Sequence, residues 1–302
     1  MTTVRAAEVI DGTAAERKVP DIGLRDTENG KRLRLGWVSS LCLAWLVCLA
    51  IAAAAADVLP LSDPTATDIA NRLVAPSEKF WLGTDQLGRD LLARVVYGAR
   101  VSLTVASCTA LIGAVFGMLF GLLAGYFRGR TEVVLMGAAD IGLAFPGIVL
   151  ILLVAAYAGA NLLNLILVIG ILAIPIYMRI ARAVTLTFAE REFVLAARVL
   201  GASHLRIMAR ELLPNAAIPV AVVAVIGMSR IIVLEGILSF LGLSVPPPTP
   251  SWGNMIAAGV SELAFHPHVS FVPSAVMAIT IFALNSVGNA LRRATDLREA
   301  AL

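Results

Sequence analysis

Apolar residues in this chain gather into long uncharged runs, and polar residues fall into the intervals between them. Gly36 to Ala56 is the first run and Val101 to Phe127 the second. No charge interrupts Ile141 to Met178, a stretch long enough for two helices, with a break expected at Gly159, Ala160 and Asn161. The third run starts near Val133 and the fourth ends near Met178; Ile218 to Leu243 is the fifth and Phe271 to Leu291 the sixth. A helix crosses a bilayer core with about 20 mostly apolar residues, so the pattern predicts an all-α polytopic membrane protein with six transmembrane helices. Pro146 and Pro175, inside the third and fourth runs, are expected to kink them.

One polar interruption, Thr187 to Asn215, keeps a helical period. Thr187 and Glu190 have capping-box spacing, which predicts a helix with Phe193, Val194, Ala197 and Leu200 on one face. Gly201 supplies a left-handed turn, and Ser203 caps a second short helix with Leu205, Met208, Ala209 and Leu212 on its apolar face and Arg206 and Arg210 opposite. Pro214 is expected to close the unit. Two half-apolar helices meeting at a glycine make a knob suited to a groove on another protein.

Composition agrees with the pattern. Of the 302 residues, 59% are hydrophobic and 15% charged, and the mean hydropathy is +0.86, more apolar than a soluble domain of this size requires. Basic residues near the span ends set the orientation. Lys31, Arg32 and Arg34 place the amino terminus in the cytoplasm, and six crossings return Arg128, Arg130, Arg179, Arg182, Arg191, Arg292 and Arg293 to that side. The segment from Asp57 to Arg100 strains the rule, because Arg72, Lys79, Arg89, Arg94 and Arg100 must lie outside. It is long, and Asp63, Asp68, Glu78, Asp85 and Asp90 balance those charges. The expected division is a cytoplasmic tail over 1–35, an anchor over 36–58, an extracytoplasmic loop over 59–100, a five-span core over 101–291 holding the 184–214 segment, and a cytoplasmic tail over 292–302. The small residues Ala52 to Ala56 resemble a signal-peptide cleavage region, but the apolar stretch is long and follows a mixed-charge tail, which reads as a retained anchor.

The interruption resembles the loop that marks permease subunits of binding-protein-dependent ABC importers: Glu-Ala-Ala, three residues, Gly, nine residues, Ile, one residue, Leu-Pro. Ala196, Ala197, Gly201, Leu213 and Pro214 fit it, while Leu195 stands for the Glu and Glu211 for the Ile. The resemblance implies that this loop seats in an ATPase subunit, with Glu192, Ala196, Ala197, Gly201, Ala202, Ser203, Arg206, Leu213 and Pro214 at the contact. Two outer segments are similar to the C-type subunit of the dipeptide, oligopeptide and nickel permease family. The first runs Leu82-Gly-Thr-Asp-Gln-Leu-Gly-Arg-Asp90 and continues to Tyr97-Gly-Ala-Arg-Val-Ser-Leu103; the second runs from Leu238 through Pro246, Pro247, Pro248 and Pro250 to Trp252 and Gly253. Ser244 replaces the usual Gly in the second. The end of the chain, Asn285 to Arg292 with Asp296, is also similar, with Asn289 in place of Asp. The motif residues carried over are Gly83, Thr84, Asp85, Gly88, Arg89, Asp90, Pro247, Trp252 and Gly253.

Physically, Asp85 can cap a helix from Gln86 onward, with Leu91, Leu92, Val95 and Val96 as a stripe suited to the membrane surface. An interfacial helix that only orients the next span remains open beside contact with substrate or a binding protein. The four prolines stop the fifth span and stiffen the chain after it, and Trp252 suits the bilayer interface.

Ionisable residues within spans are costly and therefore mark candidate sites. Arg230 and Glu235 are such residues in the fifth span, and their spacing does not stack them as an i, i+4 pair. Each is expected to face another helix, the partner permease or a wet cavity, with an interhelical ion pair as the alternative. Asp140 is expected to be solvated near the cytoplasmic interface. His266 and His268 read as solvated loop residues, with no third ligand to suggest a metal site. Cys42, Cys48 and Cys108 lie in apolar runs without paired spacing and read as small buried residues.

Gly30-Lys31 lacks the upstream glycine of a phosphate loop, so the chain is expected to bind no ATP and no other cofactor. It carries no hydrolase motif and no aromatic-basic platform for nucleic acid. The resemblance implies a type I ABC importer permease in the bacterial plasma membrane, surrounded by lipid, paired with a second permease and two ATP-binding subunits that use ATP and Mg, and supplied by an extracytoplasmic solute-binding protein. Di- or oligopeptide import is the leading expectation. Nickel or small-cofactor import within the family is the alternative, and an ion-coupled secondary transporter working through Arg230, Glu235 or Asp140 is a more distant one; such transporters are often built from repeats, and none is evident here.

Overall fold

The computed structural model describes residues 36–299, so the expected tail over 1–35 lies outside the described residues. The helices are α1 (Trp37–Ala54), α2 (Leu91–Phe127), α3 (Gly129–Ala144), α4 (Gly147–Ala158), α5 (Leu162–Ala189), α6 (Glu192–Val199), α7 (His204–Arg206), α8 (Leu213–Phe240), α9 (Trp252–Gly259) and α10 (His268–Glu299). Among the described residues the one extended pairing is an isolated bridge between Thr84 and Asp90, so the all-α class holds. Five helices are long and apolar enough to cross a membrane, or six when the bent pair α3 and α4 counts as one span.

That pair bends by 74°. Phe145 is extended and Pro146 caps α4, because a residue before proline is driven out of the helical region. The expected kink at Pro146 is therefore a break, whereas α5 runs through Pro175 without ending. The break after α4 falls where the sequence puts it: Gly159 has φ +81, and the Asn161 side chain accepts the Asn164 N–H at 2.8 Å to cap α5.

The fourth span overshoots its predicted end at Met178 by about three turns, to Ala189. Arg179 and Arg182, the charges that set that limit, are held by α3. Arg179 pairs with Asp140 at 2.5 Å, and Arg182 Nε donates to Glu132 at 2.7 Å. Asp140 is exposed, as expected, but paired.

The tightest seam joins α2 to α5. Gly113, Gly117, Gly121 and Gly125 recur every four residues and so share one face of α2. A Cβ on Gly117 would come within 2.5 Å of the Tyr177 Cβ, and one on Gly121 within 2.5 Å of the Ala181 Cβ. Missing side chains let the two backbones close on each other, which in lipid replaces the hydrophobic drive available in water.

At 37 residues, α2 is about 55 Å long, well beyond a core of about 30 Å. Its first turns are covered by other parts of the chain, which corrects the membrane-surface stripe: Leu91 and Val95 are buried and pack with Met255. Asp85 caps no helix either. Its carboxylate accepts the Leu87 N–H at 2.8 Å and the Arg89 N–H at 3.0 Å, which leaves Asp90 to cap α2 through the Leu92 N–H at 3.0 Å.

The five basic residues of this loop are only partly balanced as expected. Asp85 pairs with Arg89 at 2.7 Å and lies 3.4 Å from Arg94. Arg100 pairs with Asp57 at 2.9 Å and donates to Ala53 O at 2.8 Å, fastening the end of α1 to α2. Hydrogen bonds from Arg100 and then Tyr97 hold the Asp57 carboxyl below its ordinary range. Asp63 and Asp68 accept instead from Thr65 and Asn71.

Candidate functional site

The sequence-predicted site residues fall into three places: the basic end of the bundle, the proline-rich end, and the middle of α8.

At the basic end, the capping box of Thr187 and Glu190 does not form. Thr187 is inside α5 with its hydroxyl on Ala183 O at 3.3 Å, and Glu190 caps the end of α5 while pairing with Arg128 at 2.7 Å. α5 persists through Thr187 because Ala189 is buried with Leu122 and Tyr126 of α2. Helix α6 therefore starts at Glu192, after Arg191. The turn is as expected: Gly201 has φ +76, and Ser203 accepts the Arg206 N–H at 3.4 Å.

Pro214 does not close the unit. Residues His204–Phe240 run as one helix whose Ile207–Leu212 stretch has π geometry. Pro214 has no N–H to return to the preceding turn, and the wider π turn accommodates that loss. The extra residue in the turn also shifts the apolar face. Val194, Ile207, Met208 and Leu212 pack on Leu122, Tyr126 and Ala189, whereas Leu205 and Ala209, expected on the same apolar face as Met208 and Leu212, are exposed.

Glu192, Ala196, Gly201, Ser203, Arg206, Leu213 and Pro214 are exposed, and Ala197 and Ala202 half-buried. The tip of the unit is apolar and open: Val199 is 87% exposed, Leu200 86% and Leu205 73%. Its base is fixed by a contact the sequence does not reveal. The Tyr126 hydroxyl lies 2.8 Å from His204 Nδ1, and the Arg198 guanidinium sits 5.3 Å from the Tyr126 ring centre.

At the proline-rich end, the motif residues Gly83, Thr84, Asp85, Gly88 and Arg89 are buried in their own turn. The Thr84 hydroxyl donates to Asn71 O at 2.6 Å and accepts the Val74 N–H at 2.8 Å. Pro247 is exposed. Trp252 is not at an interface: it is fully buried, and its indole N–H donates to Val95 O at 3.1 Å. Gly98 beneath it and Gly253 beside it make room; a Cβ on Gly253 would lie 2.6 Å from Gly236 O.

Glu235 belongs to the same block. It is 1% exposed and accepts from Ser102 at 2.9 Å and Ser244 at 3.1 Å. Ser239 and Ser251 hydroxyls meet beside it at 2.6 Å. Serine spacing alone gave no signal for this cluster, since Ser102 is remote in sequence. His266 and His268 are half-buried rather than solvated; His266 lies 3.4 Å from Glu262. The cysteines are also less uniform than expected, with Cys42 buried, Cys108 half-buried and Cys48 exposed.

In the middle of α8, Arg230 is exposed. Arg230 and Glu235 form no ion pair with each other or with other described residues. The interhelical pair is therefore not found.

Residues 117–300 match the family described as the binding-protein-dependent transport system inner membrane component. The chain is 35% identical over 266 residues to the glutathione transport system permease protein GsiD of Escherichia coli O6:K15:H31 (strain 536 / UPEC), covering 88% of this chain and 87% of that protein. GsiD of Shigella sonnei (strain Ss046) aligns with the same identity and coverage. Among solved structures, inward-facing forms of the MetNI methionine ABC transporter resemble it in fold. One aligns over 68% of this chain and 97% of its own with a TM-score of 0.55 at 18% identity, and a second over 67% and 96% with the same TM-score.

Proposed function

Since the chain belongs to the binding-protein-dependent inner membrane component family, and is thereby the permease subunit of such an importer, we propose that it carries di- or oligopeptides. In this reading it forms the passage with a second permease, takes cargo from an extracytoplasmic binding protein, and is driven by two subunits that use ATP and Mg. Glutathione, named for two relatives, is itself a small peptide. The basic end faces the cytoplasm, the loop over 59–100 lies outside, and both tails are cytoplasmic.

The observation that carries this reading is the shape of the 190–213 unit. An apolar tip at Val199, Leu200 and Leu205 projects on a glycine turn, while its base is anchored to α2 and α5. Exposed apolar surface on a rigid base fits a groove in another protein. ATP-driven closure of the two ATPases moves this tip. Through Tyr126, and through α2 packed by its glycines on α5, the displacement turns the spans as bodies rather than bending them.

Gly201→Asp tests the assignment. Nothing lies within 4 Å of a Cβ at this position, so the carboxylate projects into the docking groove, while the φ of +76 adds a local strain confined to the turn. Uptake by the reconstituted importer is expected to vanish while membrane insertion is unchanged. Normal peptide uptake by this variant refutes the coupling role.

A further inference from the structure

Midway along the bundle, two polar side chains lack an acceptor. Tyr177 of α5 is wedged between Gly113 and Gly117 of α2 and Gly227 of α8, where added Cβ atoms would run into its ring, its Cβ and its hydroxyl respectively. It is 4% exposed, and among the described residues its hydroxyl, seated over Gly227, makes no hydrogen bond. Gly113 and Gly117 lie about 15 to 21 Å from the Phe127 end of α2 by helical rise, close to the middle of a hydrocarbon core about 30 Å thick.

Arg230 follows Gly227 by three residues and so shares its face of α8. Arg230 is exposed and meets no carboxylate among the described residues. The next turns of that face are Val233 and Ile237, exposed and apolar. Arg230 lies about 4.5 Å farther along α8 than Gly227, still inside an apolar span, where a guanidinium set against acyl chains is costly; it faces a wet cavity or a partner. The Tyr177 hydroxyl is not sealed in, since among the described residues the buried polar side-chain atoms without a partner are Thr109 Oγ1 and His268 Nε2. Both groups can donate, and a carboxylate has two oxygens to receive them.

We propose that Arg230 and Tyr177 form a carboxylate-binding station in the passage, occupied in transit by the main-chain carboxylate of a peptide. The station rests on the permease reading above, because it requires this face of α8 to line the passage. Arg230 supplies a charge-assisted pair of hydrogen bonds, and the absent side chain at Gly227 leaves the Tyr177 hydroxyl open to the second oxygen.

The test is uptake of a radiolabelled dipeptide free acid into vesicles by the complete complex with loaded binding protein. Arg230→Gln is expected to lower maximal uptake about tenfold, the scale of one charge-assisted hydrogen bond, without changing the concentration of loaded binding protein that gives half-maximal uptake. Arg230→Lys restores most of the rate, and Tyr177→Phe lowers it about threefold. Undiminished uptake by Arg230→Gln overturns the station alone and leaves the permease reading standing. If Arg230→Gln instead loses the second permease on purification, the arginine pairs with a carboxylate of that subunit, and the station is wrong. A wild-type complex that moves nickel and no peptide overturns the cargo reading and the station together.

Discussion

The two ends of this bundle are built on opposite plans. At the proline-rich end, Trp252, Gly253, Glu235, Ser102, Ser239, Ser244 and Ser251 are closed in on one another, with each polar group meeting a partner. At the basic end, Val199, Leu200 and Leu205 stand open on a turn, and only the base of the unit is packed. Burial makes the first end a source of stability that needs nothing from outside. Exposure makes the second contribute little to the stability of this chain, as the docking role proposed for it requires. Substitutions at the two ends should therefore separate stability from assembly.

The largest effect is expected at Trp252. Trp252→Ala removes the biggest fully buried side chain and leaves the Val95 carbonyl without its indole donor. Loss of an aromatic side chain from a packed core costs about 3–5 kcal/mol, which should appear as a marked fall in the thermal unfolding midpoint of the detergent-solubilised complex. A midpoint close to wild type would break the comparison, because the sealed end would then be no more structural than the open one.

Most of the fold is legible in the uncharged runs, which place α1 and the break after α4 to within a few residues, although α2 begins ten residues before Val101. The errors cluster where charge or proline was read as a boundary. Arg179 and Arg182 looked like the limit of a span, yet α3 supplies Asp140 and Glu132 as counter-charges and the helix goes on. Pro214 looked like a terminus, yet a π turn absorbs it. Trp252 was assigned to the interface on residue type, and only the tertiary contact with Val95 and the space over Gly98 put it inside. The glycine turn and the Ser203 cap, by contrast, depend on local chemistry and were readable. The Tyr126 contact with His204 was not, because nothing in either residue's neighbourhood marks the other.

That contact supplies the intermediate case. Tyr126→Phe keeps the ring, its place between Leu122 and Val194, and the Arg198 contact, and removes only the hydroxyl facing His204 Nδ1. His204 is exposed, so water replaces the lost partner and the stability change should be about 1 kcal/mol or less. ATP hydrolysis per transported peptide should nevertheless rise in vesicles, since the unit is less firmly tied to α2. An unchanged ratio would show that the other base contacts suffice to pass the motion on.

The smallest effect on stability belongs to the tip. Leu200→Ser changes a side chain that is 86% exposed and borders only the Gly201 turn, so unfolding of the isolated permease should shift by about 0.5 kcal/mol or less. Recovery of the ATPase subunits on purification through a tag on this chain should fall all the same, because the proposed docking surface loses an apolar contact. These two readouts sharpen the comparison in a way the buried end cannot. Trp252→Ala lowers both together, since a permease that unfolds binds nothing, whereas Leu200→Ser should lower one alone. If Leu200→Ser destabilises the permease as Trp252→Ala does, the tip is packed against a part of this chain and is not a docking surface. If it retains its ATPases in full, Val199 and Leu205 are sufficient for the contact, and the double substitution of those two residues becomes the decisive measurement.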